Sequence, residues 1–244
     1  MSLEVDLPPP DAGFVERTLT RWFMRPAHIT RVEPLSDHFR FIEFEGEALK
    51  EGAWQPGHKI QIKIGRPLAT RTYTPIEWDP ALGTMRILAY AHTRDAPGGA
   101  WVLAAQSGAS QQIFGPRRSL DLTGLPARTV LFGDETSFGV AMALRAQLGA
   151  DAGLRYVFEV TDREEAEVVL KSIALGGVQV IARERDGAHL TDVLSEDVDD
   201  AVHWVLTGQS TSVQRLSRAL KARGVERRRL RAKVYWAPGK TGLD

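Results

Sequence analysis

Arg71-Thr72-Tyr73-Thr74-Pro75 concentrates more usable side-chain chemistry than any other short stretch of the chain. An arginine pairs bidentately with a phosphate. A tyrosine lays its ring against a flat heterocycle, and a threonine hydroxyl donates to a ring nitrogen. In an extended strand Arg71 and Tyr73 share one face while Thr72 and Thr74 share the other, so one ligand could meet all four only through a local twist or a long reach. An exposed strand that carries an Arg and a Tyr has the same sequence. In Ala96-Pro97-Gly98-Gly99-Ala100-Trp101, glycines precede a short predicted helix over 99–106. Open N–H groups and the helix dipole suit a diphosphate there; an ordinary helix start is the alternative. Phe114-Gly115-Pro116-Arg117-Arg118 sets two arginines beside a Gly-Pro turn, within reach of a phosphate or anionic substrate, or simply solvated.

Two further turns stand between predicted strands and helices. Gly133-Asp134-Glu135-Thr136 lacks the usual glycine-rich phosphate fingerprint and offers two carboxylates, a poor cradle for a pyrophosphate. Either Thr136 caps the helix and Asp134 or Glu135 meets a ribose or amide, or the turn is structural. In Thr207-Gly208-Gln209-Ser210-Thr211, Gly208 allows close approach and Ser210 or Thr211 can cap. Tyr235-Trp236 ends a strand before Pro238-Gly239-Lys240; the aromatics either cover a flat ligand or pack as core. Arg163, Arg183 and Arg185 are candidates for a nucleotide 2′-phosphate. The six histidines show no pair with metal-ligand spacing, so no protein-held metal is expected.

These segments need scaffolds of two kinds. Up to about residue 124 the pattern is of short alternating strands, at 39–45, 60–64, 71–78 and 85–92, broken by Gly, Pro and Asp, which predicts an antiparallel β-barrel. From 125 onward, strands at 129–132, 154–160, 178–182, 203–207 and 233–236 alternate with helices at 137–148, 163–170 and 210–223. That alternation predicts an α/β domain with a parallel sheet. The expected domains are therefore 1–124 and 125–244.

The bulk composition narrows the function. Lys plus Arg and Asp plus Glu are equal at 31 each. A net charge of zero argues against a dedicated nucleic-acid binder. With no cysteine, thiol catalysis and iron–sulfur clusters drop out, and electron transfer would need an organic cofactor. No stretch is long and apolar enough for a membrane span, and the acidic N-terminus does not resemble a signal peptide, so a cytoplasmic location is expected.

Taken in order, Arg71-Thr72-Tyr73-Thr74, Gly98 to Trp101, Gly115-Pro116, Gly133-Asp134-Glu135-Thr136, the Trp204 to Gly208 turn and Tyr235-Trp236 with Gly239 resemble the siderophore-interacting protein family, within the ferredoxin-NADP reductase-like group. The resemblance covers about Met24 to Lys240. It implies an FAD-dependent ferric-siderophore reductase that passes electrons from NADPH or NADH through FAD to chelated Fe(III), releasing Fe(II). Arg71 would hold the FAD phosphate, Tyr73 would stack on the isoalloxazine and Thr74 would approach its N5 edge. Thr72, His92 and Trp101 would complete the flavin site, and the backbone from Gly98 through Gly99 to Ala100 would receive the pyrophosphate. Asp134, Glu135, Thr136, Gly208 and Trp236 would border the nicotinamide nucleotide. Lys63, Arg117, Arg118 and Lys240 would hold the anionic ferric chelate. The chain departs from the family at Gln209, where Glu is usual, at Ala237, where a basic residue is usual and Lys240 would substitute, and at Thr93, where Gly usually follows His. Ferredoxin is a further candidate donor. The alternatives are a flavoprotein reductase serving ferredoxin, flavodoxin or free flavin, and a non-catalytic flavin-containing siderophore-binding protein.

Overall fold

Residues 24–64, 69–149, 153–195 and 202–240 are described in a computed structural model. The acidic Met1 to Asp11 segment lies outside them. Seven antiparallel strands come first: β1 (Arg25–Pro34), β2 (Phe39–Glu45), β3 (Lys59–Lys63), β4 (Thr70–Tyr73), β5 (Pro75–Asp79), β6 (Thr84–Tyr90) and β7 (Ser110–Arg117), with helix α1 (Pro97–Ala104) between the last two. Their order across the sheet is β4-β3-β7-β1-β2-β6-β5.

The stretch 71–78, expected as one strand, is two. β4 pairs with β3 and β5 with β6, so the two edge strands of the sheet are joined through Thr74 alone. Pro75 is the reason. It has no N–H for the ladder, so Thr74 stands where pairing passes from β3 to β6 rather than in mid-strand. β1 escaped the sequence pattern because its register shifts between Ile29 and Arg31, which interrupts the alternation of buried and exposed residues.

The second half is a parallel sheet of β8 (Thr129–Gly133), β9 (Arg155–Val160), β10 (Val178–Ala182), β11 (His203–Gln209) and β12 (Leu230–Trp236), in the order β10-β9-β8-β11-β12. Helices α2 (Phe138–Leu148), α3 (Arg163–Ser172), α4 (Leu190–Ser195) and α5 (Ser210–Ala222) connect the strands. Winding reverses between β8 and β11. Open α/β sheets bind ligands outside the strand ends at such a point.

The halves share one core. Phe39 and Phe41 of β2 and Ile76 of β5 belong to the same buried cluster as Leu131, Phe138, Leu144 and Phe158. The rings of Phe39 and Phe138 stack 5.3 Å apart. α2 lies between barrel and sheet, which is why it is buried over more of its circumference than a one-sided stripe. Above this core, the Glu165 carboxylate on α3 accepts from the His38 backbone N–H at 2.8 Å and lies 3.0 Å from His38 Nδ1.

Candidate functional site

On the barrel side, the Arg71 side chain lies over the start of α1. A Cβ added at Gly98 would stand 3.1 Å from Arg71 Nε, and one at Gly99 would stand 1.9 Å from the Thr93 carbonyl oxygen. A side chain at Gly99 would run into backbone, and one at Gly98 would press on the flexible Arg71 side chain. α1 begins with Pro97 and has no side-chain cap, so its first turn offers main-chain donors without a side-chain acceptor, beside a guanidinium. Such groups suit a diphosphate, and the residues fit the phosphate end of FAD. One adjustment is needed: the Ala100 N–H is already bonded to the Ala96 carbonyl at 2.9 Å, which leaves Gly98 and Gly99 as the main-chain donors. Tyr73 is half-buried, its ring 5.4 Å from that of Trp101, and burial holds its phenol well above the ordinary range. Thr72 points outward.

On the sheet side, the strand ends converge on a buried ionic network. Asp134 is fully buried. Its carboxylate accepts from the Thr136 N–H at 2.9 Å and from Trp236 Nε1 at 2.7 Å. Asp134, not Thr136, is thus the residue that caps this turn, with Ser137 completing a capping box. A Cβ on Gly208 would fall 2.5 Å from Asp134 Oδ2, at a residue whose φ is +102°, so only glycine fits there. Neither Ser210 nor Thr211 caps α5, whose start has no side-chain cap.

Glu135 accepts from the Thr161 N–H at 2.6 Å and from Arg183 at 2.6 Å. Arg183 also lies 3.5 Å from Glu159, which is bonded in turn to Ser212 at 2.9 Å and to His189 at 2.6 Å. The Glu184 N–H donates to His189 Nδ1 at 3.1 Å, which leaves the ring proton on Nε2, facing Glu159. Asp134 and Glu135 therefore support the strand ends from beneath; buried and internally bonded, they are not free carboxylates lining a groove. Arg183 is committed to the same network and is not a spare cation for a 2′-phosphate, whereas Arg163 makes only an exposed pair with Glu167 at 2.7 Å.

The two sides meet at the end of β12. Trp236 is edge-on to His92, ring centres 4.0 Å apart, and lies 5.8 Å from the Arg183 guanidinium. Burial lowers the His92 pKa; Glu135 opposes that shift and Arg183 adds to it. Glu159 and His189 were not singled out from the sequence as site residues, because a buried polar partner and a solvated one look alike there.

The candidate substrate cations are not one cluster. Arg117 stands across from Lys59 at one end of β3, while Lys63 stands across from Thr70 at the other. Four residues of strand separate them, about 13 Å. Arg117 is on the end that carries Tyr73, packed on the Phe114 ring at 5.0 Å. Arg118 and Lys240 are exposed.

Burial pushes the Asp134 pKa up to about 6, with Glu135 adding repulsion and Thr136, Arg183 and Trp236 pulling it back. A carboxyl whose folded pKa exceeds its unfolded one stabilises the fold when protonated, and that contribution is lost as pH rises from about 4 through about 6. Asp134→Asn cannot ionise. The stability of this variant relative to wild type is expected to improve by about 2–3 kcal/mol between about pH 4 and pH 7. Urea unfolding at both pH values measures it; a pH-independent difference would refute the assignment.

Comparisons with known proteins agree with this architecture. The siderophore-interacting FAD-binding domain model matches residues 64–120, and the siderophore-interacting protein model matches 126–239. The siderophore-interacting protein SipS from Aeromonas hydrophila superposes with a TM-score of 0.75 at 19% identity, over 89% of this chain and 93% of that one. A siderophore utilization protein from T. fusca superposes with 0.70 at 20% identity, over 91% and 95%. The FAD/NAD-binding domain of a nitric oxide dioxygenase from Vibrio cholerae superposes with 0.68 at 17% identity, over 88% and 100%. No curated protein matches the sequence significantly.

Proposed function

Because the chain belongs to the siderophore-interacting protein family, we propose that it is an FAD-dependent reductase that carries electrons from NADPH or NADH to Fe(III) held in a siderophore and releases Fe(II). The observation that supports this most directly is the diphosphate cradle, in which Arg71 covers a side-chain-free, uncapped helix start. Bound FAD would supply the redox chemistry, accepting two electrons from a nicotinamide and giving them up singly.

The chain's own residues bind and position. Arg71 and the N–H groups of Gly98 and Gly99 neutralise the diphosphate. Tyr73, braced by Trp101, offers an aromatic surface at the barrel edge. Thr74 brings its hydroxyl to the corner where barrel and sheet meet. The nicotinamide half of the donor would lie over the ends of β8 and β11, on the surface that Asp134, Glu135, Thr136 and Gly208 hold in shape. With Arg183 enclosed by carboxylates, Arg163 and exposed Arg185 are the remaining candidates for a 2′-phosphate, and the donor is NADPH or NADH. For the anionic chelate the proposal narrows to Arg117 and Arg118, at the Tyr73 end of β3, with Lys240 the next cation; Lys63 belongs to the phosphate end instead. Reduction releases iron because Fe(II) is a softer, less charged ion that hard oxygen ligands hold less tightly.

The test uses the purified full chain under anaerobic conditions. A yellow protein is bleached by NADH or NADPH, then recovers its colour on addition of a ferric siderophore while an Fe(II)-selective indicator develops. Bleaching without chelate turnover would redirect the reading to ferredoxin, flavodoxin or free flavin as acceptor. A protein that takes up no FAD would end it.

A further inference from the structure

Tyr235 carries a hydroxyl that is completely buried and makes no hydrogen bond among the described residues. The ring packs against the core shared by the two halves. The side chain near enough to act on the hydroxyl is Thr74, although the two form no well-aligned hydrogen bond. Thr74 is itself fixed in place. It joins β4 to β5, and its carbonyl would stand 3.6 Å from a Cβ on Gly139 of α2. The next residue along β12, Trp236, is tied to buried Asp134 at 2.7 Å. Both residues therefore hang from backbone held in place at the seam between the halves.

An unmade bond of this kind is expensive in a core, and where it persists it marks a place that something else completes. Burial pushes the Tyr235 phenol up to about 12, Thr74 pulls it down and Asp134 pushes it further up. The phenol is thus protonated at any working pH and acts as a donor. A threonine hydroxyl that accepts one hydrogen bond has its own proton free to donate elsewhere.

We infer that Tyr235 is a positioning residue: its O–H donates to Thr74 Oγ1 when the flavin is bound, which turns the Thr74 proton toward the flavin ring. The inference rests on the flavin reading above and extends it to a residue that the flavin motif does not contain.

Tyr235→Phe removes the hydroxyl alone. The FAD-free variant is expected to melt at the wild-type temperature or slightly above, because no intrachain bond is lost. FAD affinity, from quenching of flavin fluorescence by the apoprotein, is expected to change by less than about 3-fold. The visible absorption band of bound flavin is expected to shift, and reduction by NADH or NADPH to slow by roughly 10-fold, the scale of a modest mispositioning. Thr74→Ala should show the same spectral shift, and the double variant should be no worse than Thr74→Ala alone. Additive effects, an unshifted spectrum, or a variant that melts markedly lower would overturn the inference while leaving the flavin reading intact. A wild-type protein that binds no FAD would overturn both.

Discussion

Arg71→Ala is expected to purify almost colourless, with FAD affinity reduced by about 100-fold or more. A charge-assisted, bidentate contact to a phosphate is worth about 1.5–3 kcal/mol for each hydrogen bond. Arg71 is positioned to make such a contact at the start of α1, where Gly98 leaves room for it. Its own hydrogen bond within the chain is local, to the Thr70 carbonyl at 2.8 Å, so the barrel ladder survives its removal. Arg71→Lys keeps the charge without the fork and is expected to fall between the two. The ratio of flavin to protein absorbance, followed by titration with added FAD, measures the effect. Full flavin occupancy in Arg71→Ala would remove the cradle from the proposal.

Arg183→Leu acts on stability instead. Asp134, Glu135 and Glu159 are all buried, and Arg183 is the guanidinium among them. Removing one partner of a buried ionic network leaves uncompensated charge and costs about 3–5 kcal/mol. For a chain of this length each kcal/mol lowers the melting temperature by roughly 2–4 °C, so a fall of about 6–20 °C is expected. The loss should shrink toward about pH 5, where Asp134 takes up its proton. Calorimetry at two pH values tests both statements; a loss below about 1 kcal/mol at neutral pH would mean that the network is not mutually supporting.

Much of this architecture is legible in the chain. Period-two segments and then strand–helix alternation give an antiparallel barrel followed by a parallel sheet, because side-chain periodicity follows directly from which face is buried. The break at Thr74 is written in Pro75, although reading 71–78 as one strand passes over it. What stays hidden depends on partners far away in sequence. Nothing local distinguishes Arg183, enclosed by three carboxylates, from exposed Arg185. Asp134 and Glu135 invite a nucleotide in the sequence and are buried in the fold, and the separation of Lys63 from Arg117 follows from strand pairing alone. The helix at α4 and the register shift in β1 leave no periodic trace.

The stacked phenylalanines, Phe39 on Phe138, have a bearing on how electrons would travel. Swinging the two halves apart would expose these rings, each worth about 1.5–3 kcal/mol of burial, and would unfasten His38 from Glu165. Such a molecule is not a hinged shuttle. Donor and acceptor would each come to a stationary relay from outside.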